Sequence, residues 1–175
     1  MDQSSKSKTG LVFGLLTGIV YMLIIAARYL FFGHTTTEFT MSSVIGYLII
    51  VVLFGAAGMY RRKQLGGVAE LRDIFGTLFI VILITELCFT VFNYIYLWYI
   101  DPGFLDRFAQ STLNQMRGAH VPEAKLKEFE LTMAAQKDTN FGAILFGFAR
   151  SVVFDSLVGL IIAYALKRKD GTRAV

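Results

Sequence analysis

Long apolar stretches alternate with polar segments along this chain. Four stretches carry most of the hydrophobic residues, and they are 10–32, 41–60, 74–98 and 141–166. A helix needs roughly 20 apolar residues to cross the hydrocarbon core of a bilayer. A soluble domain would not concentrate its apolar residues in blocks of this length. The pattern therefore predicts an all-α integral membrane protein, with four transmembrane helices that form a single domain over 1–175.

The segment 101–138, between the third and fourth apolar stretches, predicts an amphipathic helical hairpin. Asp101 before Pro102 is typical of a helix N-terminus, Gly118 ends the first helical repeat, and Pro122 opens the second. The apolar residues at helical spacing are Phe104, Leu105, Phe108, Leu113, Met116, Leu126, Phe129 and Met133. A hairpin of this kind caps the bundle or lies on the membrane interface, or it binds a partner. The sequence leaves these alternatives open.

Basic residues flank the apolar stretches on alternate sides. They are Lys6 and Lys8 before the first stretch, Arg61, Arg62, Lys63 and Arg72 between the second and third, and Lys167, Arg168, Lys169 and Arg173 after the fourth. The first connection contains Glu38 and no Lys or Arg, and acidic residues outnumber basic ones in the hairpin. Cytoplasmic loops of membrane proteins are enriched in Lys and Arg. The pattern therefore predicts a multi-pass protein with both termini cytoplasmic.

Composition narrows the classes of function and partner. The net charge of +4 is spread over the membrane flanks rather than gathered in one patch, so we expect a lipid bilayer and no nucleic acid as partner. A membrane-protein partner and a homo-oligomer remain candidates. The sequence has one cysteine, no Cys/His cluster with metal-ligand spacing and no glycine-rich phosphate loop. We therefore predict no enzyme activity, no catalytic residue, no metal and no cofactor.

Four charged residues lie within the apolar stretches, namely Arg28, Glu86, Arg150 and Asp155. Each costs about 2.5–3.5 kcal/mol near a helix centre, so we expect them to face neighbouring helices. At ~1.5 Å per residue, Arg150 and Glu86 lie at similar depths, which predicts an ion pair between them. Asp155 is expected to face a different neighbour from Arg150. Arg28 lies near a helix end, where its side chain extends to the interface.

Small residues mark the faces on which the helices are expected to touch. They are Gly10, Gly14 and Gly18 in the first stretch, Gly46, Gly55 and Gly58 in the second, and Ala143, Gly147, Ser151, Gly159 and Ala163 in the fourth. Membrane helices approach closely where such residues lie. In the third stretch Glu86, Thr90 and Asn93 share a face. The candidate polar site residues are therefore Arg28, Glu86, Asn93, Arg150 and Asp155.

Two short segments, NYIY at 93–96 and YIDPGFL at 99–105, resemble the domain of unknown function family 4199. The order of elements is also similar: a glycine-rich first span, a basic turn with Gly66 and Gly67, and an acidic amphipathic insert before the last span. The resemblance implies a bacterial cytoplasmic (inner) membrane protein with four spans, from a family found mainly in Bacteroidota. It implies no activity and no site residues. The chain departs from the expected apolar-aromatic pattern at 68–72.

Two functions remain open at this level. In the first, the protein is a non-enzymatic structural or accessory component that packs against membrane partners, and its charges lock the helices together. In the second, it is a small transporter or channel that uses Glu86, Asp155 and Arg150 as a relay or polar pocket. Four spans are few for a monomeric transporter, so the second hypothesis needs a homo-oligomer. The balanced intramembrane charges favour the first.

Overall fold

The computed structural model describes residues 3–33, 35–137 and 140–167. Within them the order of elements is α1 (Gln3–Phe31), α2 (Thr36–Gln64), α3 (Leu71–Ile95), a π-helical turn (Tyr96–Ile100), α4 (Phe104–Gly118), α5 (Glu123–Lys137) and α6 (Phe141–Leu166). Four segments are long and apolar enough to cross a membrane: most of α1, all of α2, α3 with its π-helical turn, and α6. The predicted all-α fold with four membrane helices is therefore confirmed.

Local capping determines where several of these helices begin. The side chain of Thr35 accepts a hydrogen bond from the Glu38 backbone N–H at 3.2 Å, so α2 starts before its apolar stretch does. Asn140 caps α6 in the same way by accepting from the Ala143 N–H at 2.9 Å. The N-cap predicted at Asp101 is wrong, because α4 begins two residues after Pro102 and the Asp101 carboxylate instead accepts from Arg107.

The small-residue face of α1 packs directly against α3. A methyl group added at Gly10, Gly14 or Gly18 would lie 2.8 Å from a side-chain atom of α3. The residues met are Ile80, Ile84 and Cys88 respectively. This contact confirms the face predicted from the glycine repeat, since helix backbones approach closely only where a side chain is absent.

The fourth membrane helix, α6, approaches the bundle along only half of its length. Gly159 lies against Ile82 of α3, where an added methyl would be 2.8 Å from the isoleucine side chain. Gly147, on the same predicted face, has nothing within 4 Å, and neither has Gly55 of α2. These two glycines are therefore not close-contact positions, and the half of α6 near the hairpin stands away from α3.

The core lies around α3 and divides into two clusters. The first is aliphatic and consists of Ile50, Phe54, Ala57, Ala69, Ile74, Leu78, Val81, Ile82 and Ala163. The second is largely aromatic and consists of Ile25, Tyr29, Tyr96 and Phe104. Phe104 belongs to α4, so the hairpin is part of this packing rather than a free loop.

The two ends of the bundle differ in charge. The hydroxyl of Thr9 donates to the Gln64 side chain at 3.0 Å, which joins the start of α1 to the end of α2. The basic residues Lys8, Arg61, Arg62, Lys63, Arg72 and Lys167 lie at this end, which we call the basic end. The opposite end carries α4 and α5 and is called the hairpin end. Arg168, Lys169 and Arg173 of the tail, and Asp138 of the hairpin, lie outside the described residues.

Candidate functional site

Polar side chains from all four membrane helices meet near the middle of the bundle. They line a partly open cavity of about 290 Å³, which we call the acid-pair cavity. Its lining consists of Tyr21 from α1, Tyr47 from α2, Glu86 and Phe89 from α3, and Arg150, Ser151, Phe154 and Asp155 from α6. Glu86 lies about halfway along Leu71–Ile100, so the cavity is at the depth of the bilayer midplane.

Glu86 and Asp155 form the centre of this cavity. Each residue is only 3% exposed, and each carboxyl group is a hydrogen-bond partner of the other. Ionised carboxylates can only accept hydrogen bonds, so a bond between two of them requires a proton on one. The structure thus brings into direct contact two acids that the sequence analysis had assigned to different partners.

Hydroxyl groups supply the remaining contacts of the pair. The Tyr47 hydroxyl donates to Oδ1 of Asp155 at 2.9 Å. Ser151, one helical turn before Asp155, is a hydrogen-bond partner of Glu86. The Tyr21 ring stacks on Phe89 with centroids 5.0 Å apart and closes the α1 side of the cavity. These partners reduce the cost of burying the carboxyl groups, since a buried polar group without a hydrogen bond is expensive.

The predicted ion pair between Arg150 and Glu86 is wrong. In the described part of the chain, ion pairs join Arg107 to Asp101 and Arg117 to Glu130, whereas Arg150 forms neither an ion pair nor a hydrogen bond there. Arg150 lies about one turn after Gly147, where α3 does not approach, and its side chain is exposed, although the neighbouring Ser151 still reaches Glu86. Its side chain lines the acid-pair cavity but does not neutralise the pair.

A second and larger cavity, of about 660 Å³, lies between the acid pair and the hairpin, and we call it the hairpin cavity. Its charged and polar lining consists of Arg28, Thr90, Asn93, Thr132, Arg150 and Ser151. Aromatic side chains form much of the remaining wall, among them Phe39, Trp98 and Phe148. Arg150 and Ser151 line both cavities, so the two are neighbours with these side chains at their boundary.

Arg28 is held against α2 near the hairpin end. One terminal nitrogen of its guanidinium donates to Oγ of Ser43 at 3.0 Å, and the group lies 4.3 Å above the centre of the Phe39 ring. Its Nε is buried and has no hydrogen-bond partner within the described residues. Asn93 accepts a hydrogen bond from the Tyr29 hydroxyl, which joins α3 to α1 beside the same cavity.

The hairpin closes this cavity from above. Phe104 of α4 is 4% exposed and packs edge-on against Tyr29, with ring centroids 4.7 Å apart. The hydroxyl groups of Thr36 and Thr112 are 2.7 Å apart and join α2 to α4. From α5, the buried Met133 reaches the cavity wall. Of the alternatives left open by the sequence, these contacts favour a hairpin that caps the bundle.

The site contains residues that sequence reasoning missed. Neither Tyr21 nor Tyr47 was a candidate site residue, and Ser151 was placed only on a small-residue face. A tyrosine in mid-membrane is itself a signal, because its buried hydroxyl needs a hydrogen-bond partner. No group of three or more His, Cys, Asp or Glu residues suited to a metal ion occurs in the described ranges.

Comparison with known proteins adds a family. The family model described as "Protein of unknown function (DUF4199)" matches residues 12–168, which includes all four membrane helices and the hairpin. Searches of the curated proteins and of the solved structures found no match. The function must therefore be inferred from the geometry of this chain.

Proposed function

Because the chain belongs to the DUF4199 family, whose description names no activity, we propose a function from its own residues. We propose that it is a non-enzymatic, proton-linked membrane transporter in which Glu86 and Asp155 bind and release the proton. The single observation that supports this proposal is the direct contact of two buried carboxyl groups at the midplane. Intramembrane acids are costly, and they mark proton relays and ion pathways in other membrane proteins.

Electrostatics explain why such a pair suits proton exchange better than static packing. Two unit charges about 4 Å apart interact by roughly 4 kcal/mol at an effective dielectric constant of 20. For two carboxylates that interaction is repulsive, and one shared proton removes it. A static lock would be expected to place Arg150 between the acids, where it would neutralise the pair. Without Arg150 between them, the two acids stay in contact only while they share a proton. They release that proton when an aqueous path opens.

Access to the pair differs on its two sides. Towards the hairpin end, the acid-pair cavity adjoins the larger hairpin cavity at Arg150 and Ser151. Towards the basic end, the aliphatic core closes the bundle, with Leu78 and Ile82 fully buried beneath Glu86. We interpret a site with a cavity on one side and a packed core on the other as one state of an alternating-access cycle, in which the hairpin must move to admit water. We propose that the opposite state opens beside α6, the membrane helix with the smallest buried share.

The accessory-protein hypothesis remains a prediction, but its main support is weaker than the sequence suggested. The small-residue faces were part of that support, because such faces can also dock to other membrane proteins. Gly10, Gly14 and Gly18 instead contact α3 of the same chain. Mass spectrometry of what co-purifies from native membranes in mild detergent tests this hypothesis. A stoichiometric foreign partner supports it, whereas a homo-oligomer alone favours transport.

We also propose an orientation and a membrane. The basic residues gather at one end of the bundle, and Lys and Arg are enriched on the cytoplasmic side of membrane proteins. This charge pattern supports our proposal that both termini lie in the cytoplasm and the hairpin outside it, in the cytoplasmic (inner) membrane of a bacterium. Reporter fusions at the C-terminus that are active only in the cytoplasm test this orientation, and an inactive, fully expressed fusion contradicts it.

Proton movement by the purified protein tests the transport proposal. We expect vesicles of bacterial polar lipid that contain the protein to acidify internally when a negative-inside potential is imposed, as read by an enclosed pH-sensitive dye. The rate should exceed that of protein-free vesicles, because the acid pair supplies a protonation site where the bilayer has none. Protein-containing vesicles that acidify no faster than protein-free ones, with the protein shown to be folded, contradict the proposal.

A further inference from the structure

The hairpin cavity combines positive charge with an aromatic wall, and we infer that it binds a single-chain amphipathic carboxylate of the fatty-acid type. In this arrangement Arg28 and Arg150 hold the anionic head, and aromatic side chains contact the apolar tail. The inference rests on the proposed function and names the ligand class of the neighbouring cavity: an amphipathic anion whose binding is linked to the proton of the acid pair.

The charge of the cavity selects an anion. Arg28 and Arg150 both line it, and no Asp or Glu of the described residues does. Arg150 is exposed and has no hydrogen-bond or ion-pair partner within the described residues. An arginine inside the bilayer is costly without such a partner. Arg28 keeps a buried Nε without a partner, so one of its donors is also unused. Arginine presents a planar set of donors that matches the two oxygens of a carboxylate.

The wall of the cavity selects a ligand with an apolar body. Phe39, Phe89, Trp98, Phe108, Phe129 and Phe148 are among its lining side chains. A small inorganic anion would leave these rings without contact, whereas an acyl chain would cover them. The volume of about 660 Å³ lies within the roughly 300–1,000 Å³ that is usual for small-molecule sites.

The position of Arg150 connects this ligand to the proton site. Arg150 lines the acid-pair cavity as well as the hairpin cavity. A carboxylate bound to Arg150 therefore lies beside Glu86 and Asp155 and keeps the arginine away from them. The pair must then hold its own proton while the anion is bound, and this requirement links binding of the anion to protonation of the pair.

A photoreactive palmitate with a diazirine at its chain end tests the site in phosphatidylcholine nanodiscs that contain the full-length protein. We expect labelling at Phe129 and Met133 of α5, at the hairpin end of the cavity, located by peptide mass spectrometry and displaced by unlabelled palmitate. The methyl ester of the same probe should label these residues about tenfold less, because it cannot receive charge-assisted hydrogen bonds from arginine. This comparison of two ligands uses the wild-type protein and does not depend on any variant folding.

Variants locate the head of the ligand. Arg28→Gln and Arg150→Gln should each lower labelling by the acid about tenfold, since each removes one cationic partner. Arg117→Gln, on the exposed surface of the hairpin, is the matched control and should leave it unchanged. Equal labelling by acid and ester, or labelling centred on the outward-facing Phe146 and Leu157, overturns the inference.

The same samples separate this inference from the proposed function. Acid-selective labelling without proton uptake in vesicles contradicts only the proposed transport. Proton uptake with labelling that does not distinguish acid from ester contradicts only the anion site.

Discussion

Proton uptake by reconstituted vesicles is expected to fall by at least about tenfold in Glu86→Gln and in Asp155→Asn. A side-chain amide keeps the shape of the carboxyl group and can donate a hydrogen bond to its neighbour, but it neither takes up nor releases a proton in the physiological range. Each change therefore removes the exchange reaction while preserving the contact between α3 and α6. Uptake is measured as internal acidification under an imposed membrane potential, at equal amounts of folded protein.

Glu123→Gln provides the matched control, because Glu123 is an exposed acid in the first turn of α5, outside the membrane helices. It should leave uptake unchanged. The alternative hypothesis, in which the intramembrane charges are a static lock, predicts the opposite pattern. Glu86→Gln and Asp155→Asn would then lose thermal stability or reach the membrane poorly. Vesicles with wild-type protein would take up protons no faster than protein-free vesicles.

Phe104→Ala is expected to destabilise the protein by about 3–5 kcal/mol, the usual cost of truncating a buried phenylalanine. Phe104 is 4% exposed and fills the space between Tyr29, Phe39 and Phe108 in the aromatic cluster. Its removal leaves a cavity where α4 meets the membrane helices. Unfolding in detergent can be followed with a thiol-reactive dye at Cys88, the single cysteine, which is partly buried between α1 and α3.

Phe141→Ala is the control for this substitution, since Phe141 is 78% exposed and its loss should change stability little. Protease cleavage between α4 and α5 should also become faster in Phe104→Ala, because the hairpin would separate more often from the bundle. If Phe104→Ala and Phe141→Ala unfold at the same temperature, the aromatic cluster does not hold the hairpin against the membrane helices. The hairpin would then not close the hairpin cavity.

The sequence predicted the membrane helices well because their signal is simple. The length of an apolar stretch depends on the thickness of the bilayer and needs no knowledge of the neighbouring helices. The glycine repeat in α1 was equally informative, because Gly10, Gly14 and Gly18 recur on one helical face and only a close neighbour explains that spacing. The prediction that a glycine marks a close helix contact was wrong at Gly55 and Gly147, where no atom of another helix lies within 4 Å of an added methyl group.

The pairing of charges could not be predicted from depth alone. The rise per residue of an α-helix places Arg150 and Glu86 at similar depths, but it does not show how far apart α6 and α3 lie at that depth. The positions of Gly159 and Gly147 in the fold supply that information, since only Gly159 touches α3. The prediction also assumed that opposite charges would pair. The observed contact instead joins two acids, Glu86 and Asp155. Tyr47 donates a hydrogen bond to Asp155, and the charge pattern gave no signal for this residue.

The central claim is that Glu86 and Asp155 hold a proton between them, and infrared difference spectroscopy tests it most directly. The C=O stretch of a protonated carboxyl group is resolved from that of an ionised carboxylate, so the spectrum reports the state of the pair itself. At neutral pH the wild-type protein should show a protonated-carboxyl band that is absent from the double variant Glu86→Gln/Asp155→Asn. A wild-type spectrum without that band would mean that both carboxylates are ionised, and it would contradict the account.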